Sequence, residues 1–295
     1  MALTRSLPLG RAASASADPA KERWRPAVRS VGPVILRQRA TGITLPSPSP
    51  TTIVPMADQL SLGFDPALPR AGGVAPMWPI PRREPFDSAA HLFEPTWGGH
   101  RVLAFLEPGG AVRMVDSSGM DVAAMVPELS GLRRLVGAKS AVIDGELVTV
   151  DPQGRGDPVA LAAKLRGVGG RPVSLLAFDL LHLDGAWLLG KPLETRRSLL
   201  RKVVADGDAV VVVPVVAGEG RALYAAVASQ GIAGVLARTR TGPYLPGVRS
   251  RLWRSIAIRP SDAAPSDLPA EVDDVGARQG PPVLTVLRRL PLDFE

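Results

Sequence analysis

Apolar and polar positions follow regular periods only between residues 76 and 258. Six short segments rich in β-branched residues predict strands, at 101–106, 111–115, 140–150, 173–178, 209–216 and 234–238. Four segments with apolar residues three or four positions apart predict helices, at 122–135, 159–165, 193–204 and 220–229. Because strands and helices are interspersed, this stretch predicts one main domain of mixed α/β or α+β class.

The two ends of the chain show neither period. Residues 1–75 are rich in Pro, Ser, Ala and Gly and are predicted to be disordered. Their composition superficially resembles an organelle transit peptide, but Met56 opens a stretch typical of a natural start. We therefore favour a disordered or untranslated leader. Residues 259–295 predict a second flexible tail, with a short apolar stretch at 283–292.

The formal net charge of +7 is concentrated at the N-terminus. Residues 1–40 contain eight Lys and Arg against two Asp and Glu, so the rest of the chain is close to neutral. Net charge is therefore no evidence that the predicted domain binds nucleic acid. The absence of cysteine excludes disulfides and thiolate zinc sites, and it is compatible with a cytoplasmic location. The longest apolar run, 209–216, is too short to span a bilayer, so we expect no membrane association.

Polar motifs occur at four places inside the predicted domain. They are 92–101 (LFEPTWGGHR), 142–148 (VIDGELV), 178–185 (FDLLHLDG) and the pair 231–238 (GIAGVLAR) and 243–250 (PYLPGVRS). The first resembles the nucleophile motif E-P-K-W-D-G-Y-R of ATP-dependent DNA ligases, and the others resemble later motifs of those enzymes. Each motif alone is a weak signal. Their order and spacing make the chain similar to this family, in particular to its compact bacterial members.

The resemblance implies a two-sheet α+β nucleotidyltransferase domain over residues 76–258, of the ATP-grasp-like type found in DNA ligases and mRNA capping enzymes. It also implies ATP and Mg²⁺ as cofactors, nicked DNA as substrate, and a role in DNA repair and recombination. Active members carry an oligonucleotide-binding barrel after the last motif, and residues 259–295 are too few to form one. We therefore expect weak DNA binding, unless another chain such as a repair protein supplies the barrel.

The lysine that the family adenylylates is replaced here. In the family this amine attacks the α-phosphate of ATP, and the matching position in this chain is Thr96. A threonine hydroxyl is short, poorly ionised at neutral pH and has no base beside it in the sequence. The aspartate of the same motif is Gly98. We therefore predict that the chain does not adenylylate itself.

The phosphate side of the family site is depleted of charge. The arginine of the R-N-G turn corresponds to Ser117, the metal-binding glutamate of the fourth motif to Ala233, and the two lysines of the last motif to Ser255 and Ala257. Phosphoryl transfer depends almost wholly on positioned charge, so each replacement lowers the expected activity. The five lysines of the chain lie at positions remote from the nucleophile motif: Lys21, Lys139, Lys164, Lys191 and Lys202.

The nucleoside side of the family site is better preserved. By resemblance, Phe178 stacks on adenine, Glu146 lies near the ribose and the metal ion, and Glu94 and Arg101 flank the vacated nucleophile position. Arg238 replaces a family lysine and is equally compatible with a phosphate contact and with a surface cation. From the residues alone, Phe178 is more often a core residue, and the resemblance reverses that preference. These five residues form the predicted nucleotide site.

Two other functions remain open from the sequence. One is a non-catalytic module that binds nucleotide or a repair protein through the former nucleotide pocket or through its surface. The other is a decaying gene product without a selected role. Nucleotide affinity without a covalent adduct would support the first of these, and poor folding without ligand binding would support the second.

Overall fold

The computed structural model of the protein describes residues 73–110, 112–259 and 261–262, which all belong to the second of two units in the chain, Asp58–Glu295. The predicted leader up to residue 72 and nearly all of the predicted C-terminal tail lie outside the described residues. Within the described ranges, none of the helices combines the length and the hydropathy needed to cross a membrane.

Eleven strands in the described residues form two sheets. They are β1 (Trp78–Pro81), β2 (Ser88–Thr96), β3 (His100–Leu106), β4 (Val112–Asp116), β5 (Ala141–Val148), β6 (Ser174–Leu183), β7 (Ala186–Trp187), β8 (Val210–Val212), β9 (Val216–Gly218), β10 (Gly234–Thr239) and β11 (Arg249–Ala257). The five-stranded sheet has the order β1-β11-β10-β2-β9. The six-stranded sheet has the order β4-β3-β5-β6-β7, with β8 also paired to β6.

Four α-helices accompany the sheets in the described part of the chain. They are α1 (Leu132–Leu135), α2 (Pro158–Leu165), α3 (Leu193–Val203) and α4 (Gly220–Ser229). Helix α2 is capped by Asp157, whose side chain accepts the backbone N–H of Ala160, and Pro158 occupies its first turn. Helix α3 ends with Arg201 and Lys202, which suit the negative end of the helix dipole.

Strand β5 lies at the centre of the six-stranded sheet, and all of its residues are buried. Val142 and Val148 belong to a core cluster shared by both sheets and α4, whereas Ile143 and Leu147 belong to a second cluster that includes α3. Side chains alternate along a strand, so Asp144 and Glu146 point to the same side as Val142. The fold therefore directs two carboxylates of β5 into the interior between the sheets.

The predicted fold class is confirmed, but several predicted elements need correction. The prediction of one helix at 122–135 was wrong, because Pro127 and Gly131 break the segment into two 3₁₀ turns (Ala123–Met125 and Pro127–Gly131) followed by the short α1. The predicted strand 209–216 is two short strands, β8 and β9, separated at Pro214. Strands β1, β2, β7 and β11 were not predicted.

Candidate nucleotide site

The loop between β2 and β3 folds around the carboxylate of Glu146. Thr96 Oγ1 donates a hydrogen bond shared between the two carboxylate oxygens, each 3.2 Å away. The backbone N–H groups of Trp97 and Gly99 donate to Oε1 and Oε2 at 2.8 and 3.0 Å. Glu146 is only 8% exposed. Its charge is therefore stabilised mainly by the loop that carries Thr96.

Trp97 anchors this loop. Its side chain is buried, and its indole Nε1 donates to the carbonyl oxygen of Gly154 at 3.0 Å. Gly154 lies in a turn that is closed by the bridge between Val150 and Gly156. The loop around Glu146 is thus held both by its hydrogen bonds to the carboxylate and by the contact of Trp97 with this turn.

Burial raises the pKa of Glu146, while the hydrogen bonds from Trp97, Gly99 and Thr96 and the charge of Arg101 lower it. Burial is the largest of these effects, so the net direction is upward. A carboxylate in this setting is less readily ionised than an exposed one.

Gly99 provides a direct test of how tightly the loop fits. A Cβ atom at this position would lie 2.2 Å from the carbonyl oxygen of Leu147 and 2.7 Å from a methyl carbon of Val148. We expect Gly99→Ala to lower the free energy of unfolding by about 2–4 kcal/mol, measured by urea denaturation, because backbone must move.

Gly98→Ala is the matched control. Gly98 has φ +68°, but its added Cβ would meet only the Cβ of Ala233, at 3.4 Å. We expect a loss of about 1 kcal/mol from the left-handed backbone alone. Equal losses for the two variants would contradict the close fit of the loop at Gly99.

Arg101 of β3 is held beside this loop. It forms a two-point ion pair with Asp144, in which both nitrogen–oxygen distances are 2.6 Å. The Tyr244 hydroxyl donates to the same carboxylate at 2.7 Å and accepts the backbone N–H of Met77 at 2.9 Å. The guanidinium carbon of Arg101 lies 4.6 Å from the centre of the Phe178 ring. Arg101 therefore covers part of the ring that the resemblance assigns to adenine.

Three arginines and two carboxylates form a buried charge cluster next to Phe178. Arg238 bridges Glu94 at 2.7 Å and Asp179 at 3.1 Å. Arg196 makes two contacts of 2.8 Å with Asp179, and Arg197 contacts Glu94 at 3.0 Å. All five side chains are at most 2% exposed. Arg238 is consequently a cation of the interior and not of the surface.

The cluster affects the ionisation of its members in opposite directions. Burial raises the pKa of Glu94 more strongly than Arg238 and Arg197 lower it. Burial also opposes ionisation of Asp179, but Arg196 and Arg238 hold its pKa below the usual value. Burial lowers the pKa of Arg197 to about 10. The cluster has one excess positive charge when all five groups are ionised. Loss of either carboxylate would therefore leave further buried positive charge without compensation.

The five predicted nucleotide-binding residues lie close to one another in the fold. Phe178 is only 6% exposed, and its ring has Arg101 at 4.6 Å and Arg238 at 5.3 Å. Glu94 contacts Arg238, and Glu146 lies on the strand next to Arg101, with which it pairs in register. That these residues bind nucleotide stays a prediction.

The structure adds residues that the sequence did not identify: Asp144, Asp179, Arg196, Arg197 and Tyr244. Asp144 and Asp179 lie inside motifs that resemble those of the family. The signal available in the sequence was a charged residue in the middle of an otherwise apolar strand. Arg196 and Arg197 carry no such signal, because adjacent arginines on a helix usually face solvent. Their burial follows from the packing of α3 on β6.

The residues around Glu146 offer few ligands of their own for a magnesium ion. Mg²⁺ is usually held by one or two carboxylates, with waters and substrate phosphates completing an octahedron. Within the described ranges no group of three His, Cys, Asp or Glu side chains could hold a metal ion. Both Glu146 oxygens already accept hydrogen bonds from the loop, and the resemblance expects a glutamate where this chain has Ala233. The metal role of Glu146 stays a prediction that its surroundings disfavour.

None of the four lysines in the described residues forms an ion pair with Glu146. Lys164, on α2, pairs with Glu128 at 3.2 Å. Lys139 precedes β5, Lys191 precedes α3, and Lys202 lies in the last turn of α3. All three are exposed. The described part of the chain therefore brings no substitute amine to Thr96.

Comparisons with known proteins agree with these motifs. Residues 83–256 match the profile of the family described as ATP dependent DNA ligase domain. The multifunctional non-homologous end joining DNA repair protein LigD of Mycobacterium tuberculosis is 37% identical over 161 residues, which cover 55% of this chain and 21% of the relative. A probable DNA ligase of Anaeromyxobacter sp. is 30% identical over 217 residues, covering 69% of this chain and 38% of the relative. The chain thus spans less than half the length of these relatives.

Solved structures show the same relationship. The ligase domain of M. tuberculosis LigD is 31% identical with a TM-score of 0.53, covering 62% of this chain and 58% of that one. A mycobacterial DNA ligase D complexed with ATP and MES is 30% identical with a TM-score of 0.54, covering 62% and 60%. The profile match includes every strand of the described sheets from β2 to β10 and most of β11. The chain therefore belongs to the ATP-dependent DNA ligase family.

Proposed function

We propose that this chain is a ligase-family protein that does not adenylylate itself and acts as a non-catalytic module in DNA repair. The observation that carries the proposal is the contact between Thr96 and Glu146. Thr96 occupies the position of the attacking amine and donates its hydroxyl hydrogen to the Glu146 carboxylate. No amine is available at this point of the described structure.

Thr96 is a poor substitute for the amine on chemical grounds. A hydroxyl attacks a phosphate only when a base removes its proton, and the nearest titratable group is Glu146. A carboxylate is far too weak a base to produce appreciable alkoxide at neutral pH. Burial raises the pKa of Glu146, but the two backbone N–H groups that its carboxylate accepts limit that rise.

The phosphate side of the site supplies little compensation. Ala233 and Ala257 are uncharged and exposed, and Ser255 lies on β11 opposite Leu236. Arg238 retains a positive charge, but its nitrogens donate to Glu94, Asp179 and the carbonyl oxygen of Phe178. A guanidinium committed in this way cannot also neutralise charge that develops on a phosphate.

For ATP itself we propose weak, non-covalent affinity. The similar mycobacterial DNA ligase D was solved with ATP, which supports some nucleotide recognition by this fold. In this chain, full stacking on Phe178 requires Arg101 or Arg238 to move, because the ring is only 6% exposed. Either movement disrupts a buried ion pair, with Asp144 or with Glu94.

DNA is the partner that the family relationship supports best. LigD of M. tuberculosis is described as a DNA repair protein, and a related role for this chain, in the cytoplasm and beside other repair proteins, is part of the proposal.

A nick-sealing assay tests the proposal. The full chain is incubated with ATP, a divalent metal ion and a labelled duplex that contains one nick, and binding of the same duplex is measured in parallel. We expect binding without sealed product, because the adenylylated intermediate does not form. Sealed product that depends on ATP would contradict the proposal, and absence of both binding and sealing would remove DNA as the partner.

A further inference from the structure

A cationic patch lies on the outer face of the five-stranded sheet, away from the nucleotide site. We define the patch as Arg82, Phe86, His91 and Arg254. Because side chains alternate along a strand, His91 and Arg254 face the side opposite to their neighbours Leu92 and Trp253. Trp253 packs near Phe178, so the patch and the nucleotide site occupy opposite faces of one sheet.

Three of the four residues of the patch are in direct contact, and Arg254 lies in register with Phe93 across β10. The guanidinium carbon of Arg82 lies 4.4 Å from the centre of the Phe86 ring. Phe86 and His91 meet edge to face, with ring centres 5.2 Å apart. Burial, followed by the charges of Arg254 and Arg82, lowers the pKa of His91, so both arginines act on the same imidazole. His91 is additionally held by Ser88, whose Oγ is 2.9 Å from Nδ1.

The positive charge of the patch is not neutralised by carboxylates. Within the described ranges neither Arg82 nor Arg254 forms an ion pair. The two acidic residues of the same segment are engaged elsewhere, since Glu84 pairs with Arg259 at 3.2 Å and Asp87 with Arg221 at 3.7 Å. The two guanidinium groups and the histidine concentrate positive charge at one place. A bound anion would offset the repulsion between the guanidinium groups and would therefore be stabilised.

The adjoining sheet edge is closed to a protein strand. Trp78 and Arg82 donate their backbone N–H groups to the β11 side, which leaves positions 79 and 81 facing outward. Both are proline and have no N–H to donate, and the Pro79 carbonyl oxygen already accepts Arg249 at 2.8 Å. A partner that adds a strand is therefore disfavoured, whereas a polyanion needs only the guanidinium groups.

We propose that this patch binds the phosphate backbone of DNA, as a contact separate from the nucleotide site. Phe86 is covered by Arg82 and flanked by Phe93, so it supports the arginine and leaves no open ring for a base. The contact is therefore independent of DNA sequence and strongly dependent on salt. It does not depend on whether the chain can adenylylate itself.

The test compares two double variants of the full chain, Arg82→Gln with Arg254→Gln, and Arg134→Gln with Arg166→Gln as the control. The control arginines are exposed and form no ion pair in the described structure. Binding of a labelled duplex of about 20 base pairs is measured against salt concentration. We expect the slope of log K against log salt to fall in magnitude by about 2 for the patch variant, with at least tenfold weaker binding at low salt. The control should retain the slope of the wild type.

The pKa of His91 provides a local readout of anion binding at the patch. The chain has three histidines, so the His91 imidazole signals can be assigned with His91→Gln by NMR. We expect duplex DNA to raise the pKa of His91, because a phosphate offsets the effect of Arg82 and Arg254. Inorganic phosphate and vesicles with anionic lipid serve as alternative anions.

Each outcome decides the proposal. A reduced salt slope only in the patch variant, with a His91 response to DNA, supports it. Equal slopes in both double variants, or a His91 response to vesicles and not to DNA, would overturn it. The proposal rests on the proposed function in taking DNA as the partner, so absence of duplex binding by the wild type would remove both. Equal slopes with normal wild-type binding would overturn this proposal alone. Unfolding midpoints equal to that of the wild type ensure that the variants remain folded.

Discussion

Replacing Asp179 by asparagine is expected to cost about 3–5 kcal/mol of unfolding free energy. Asp179 is fully buried and accepts two hydrogen bonds from Arg196 and one from Arg238. The isosteric amide removes the charge and turns an –NH₂ group toward guanidinium donors. Arg196 would then lose the carboxylate that it contacts, and Glu94 would remain as the partner of Arg197 and Arg238. With an m-value of about 2 kcal/mol/M, the urea midpoint should fall by about 2 M.

Glu107→Gln is the matched control for this change. Glu107 also pairs with an arginine, Arg113 at 2.7 Å, but both side chains are partly exposed. A surface pair contributes about 0–1 kcal/mol, so this variant should unfold close to the wild-type midpoint. If Asp179→Asn lost no more stability than Glu107→Gln, the buried cluster would not be a stabilising feature of the fold.

Thr96→Lys alone is expected to form no detectable adenylylated protein with radiolabelled ATP and magnesium. The substitution restores the amine, but Ala233, Ser255 and Ala257 still provide no charge around the phosphates. Loss of one positioned charge or donor typically slows such chemistry by about 10²–10³, so the combined deficit is prohibitive.

A four-residue variant serves as the comparison for Thr96→Lys. It combines Thr96→Lys with Ala233→Glu, Ser255→Lys and Ala257→Lys, at positions that are all outside the buried core. Adduct in this variant, but not in Thr96→Lys, would support separate losses at the nucleophile and at the phosphates. Adduct in Thr96→Lys alone would show that the phosphate-side losses matter less than proposed.

The sequence predicted the strands of the six-stranded sheet better than those of the five-stranded sheet. Strands β3, β5 and β6 are rich in apolar residues because both of their faces are covered, and this pattern is visible without a structure. Strand β11 (RSRLWRSIA) was missed because its arginines and serines interrupt the apolar pattern at an exposed position near the sheet edge. Strand β1 contains two prolines, which usually argue against a strand, and it forms only as an edge.

The candidate site could be predicted only as far as the motifs reach. The order of the motifs identified Thr96, Glu146 and Phe178, because the residues next to each of them in the chain form a recognisable motif. The partners of Glu94 come from α3 and β10, more than a hundred residues away in the chain. No local pattern contains such contacts, because they depend on how α3 packs against β6.

The most direct measurement is the intact mass of the full wild-type chain before and after incubation with ATP and magnesium. The account predicts an unchanged mass, because Thr96 is held by Glu146 and no amine is close to it in the described structure. An increase equal to one adenylyl group, lost on treatment with acid, would contradict it.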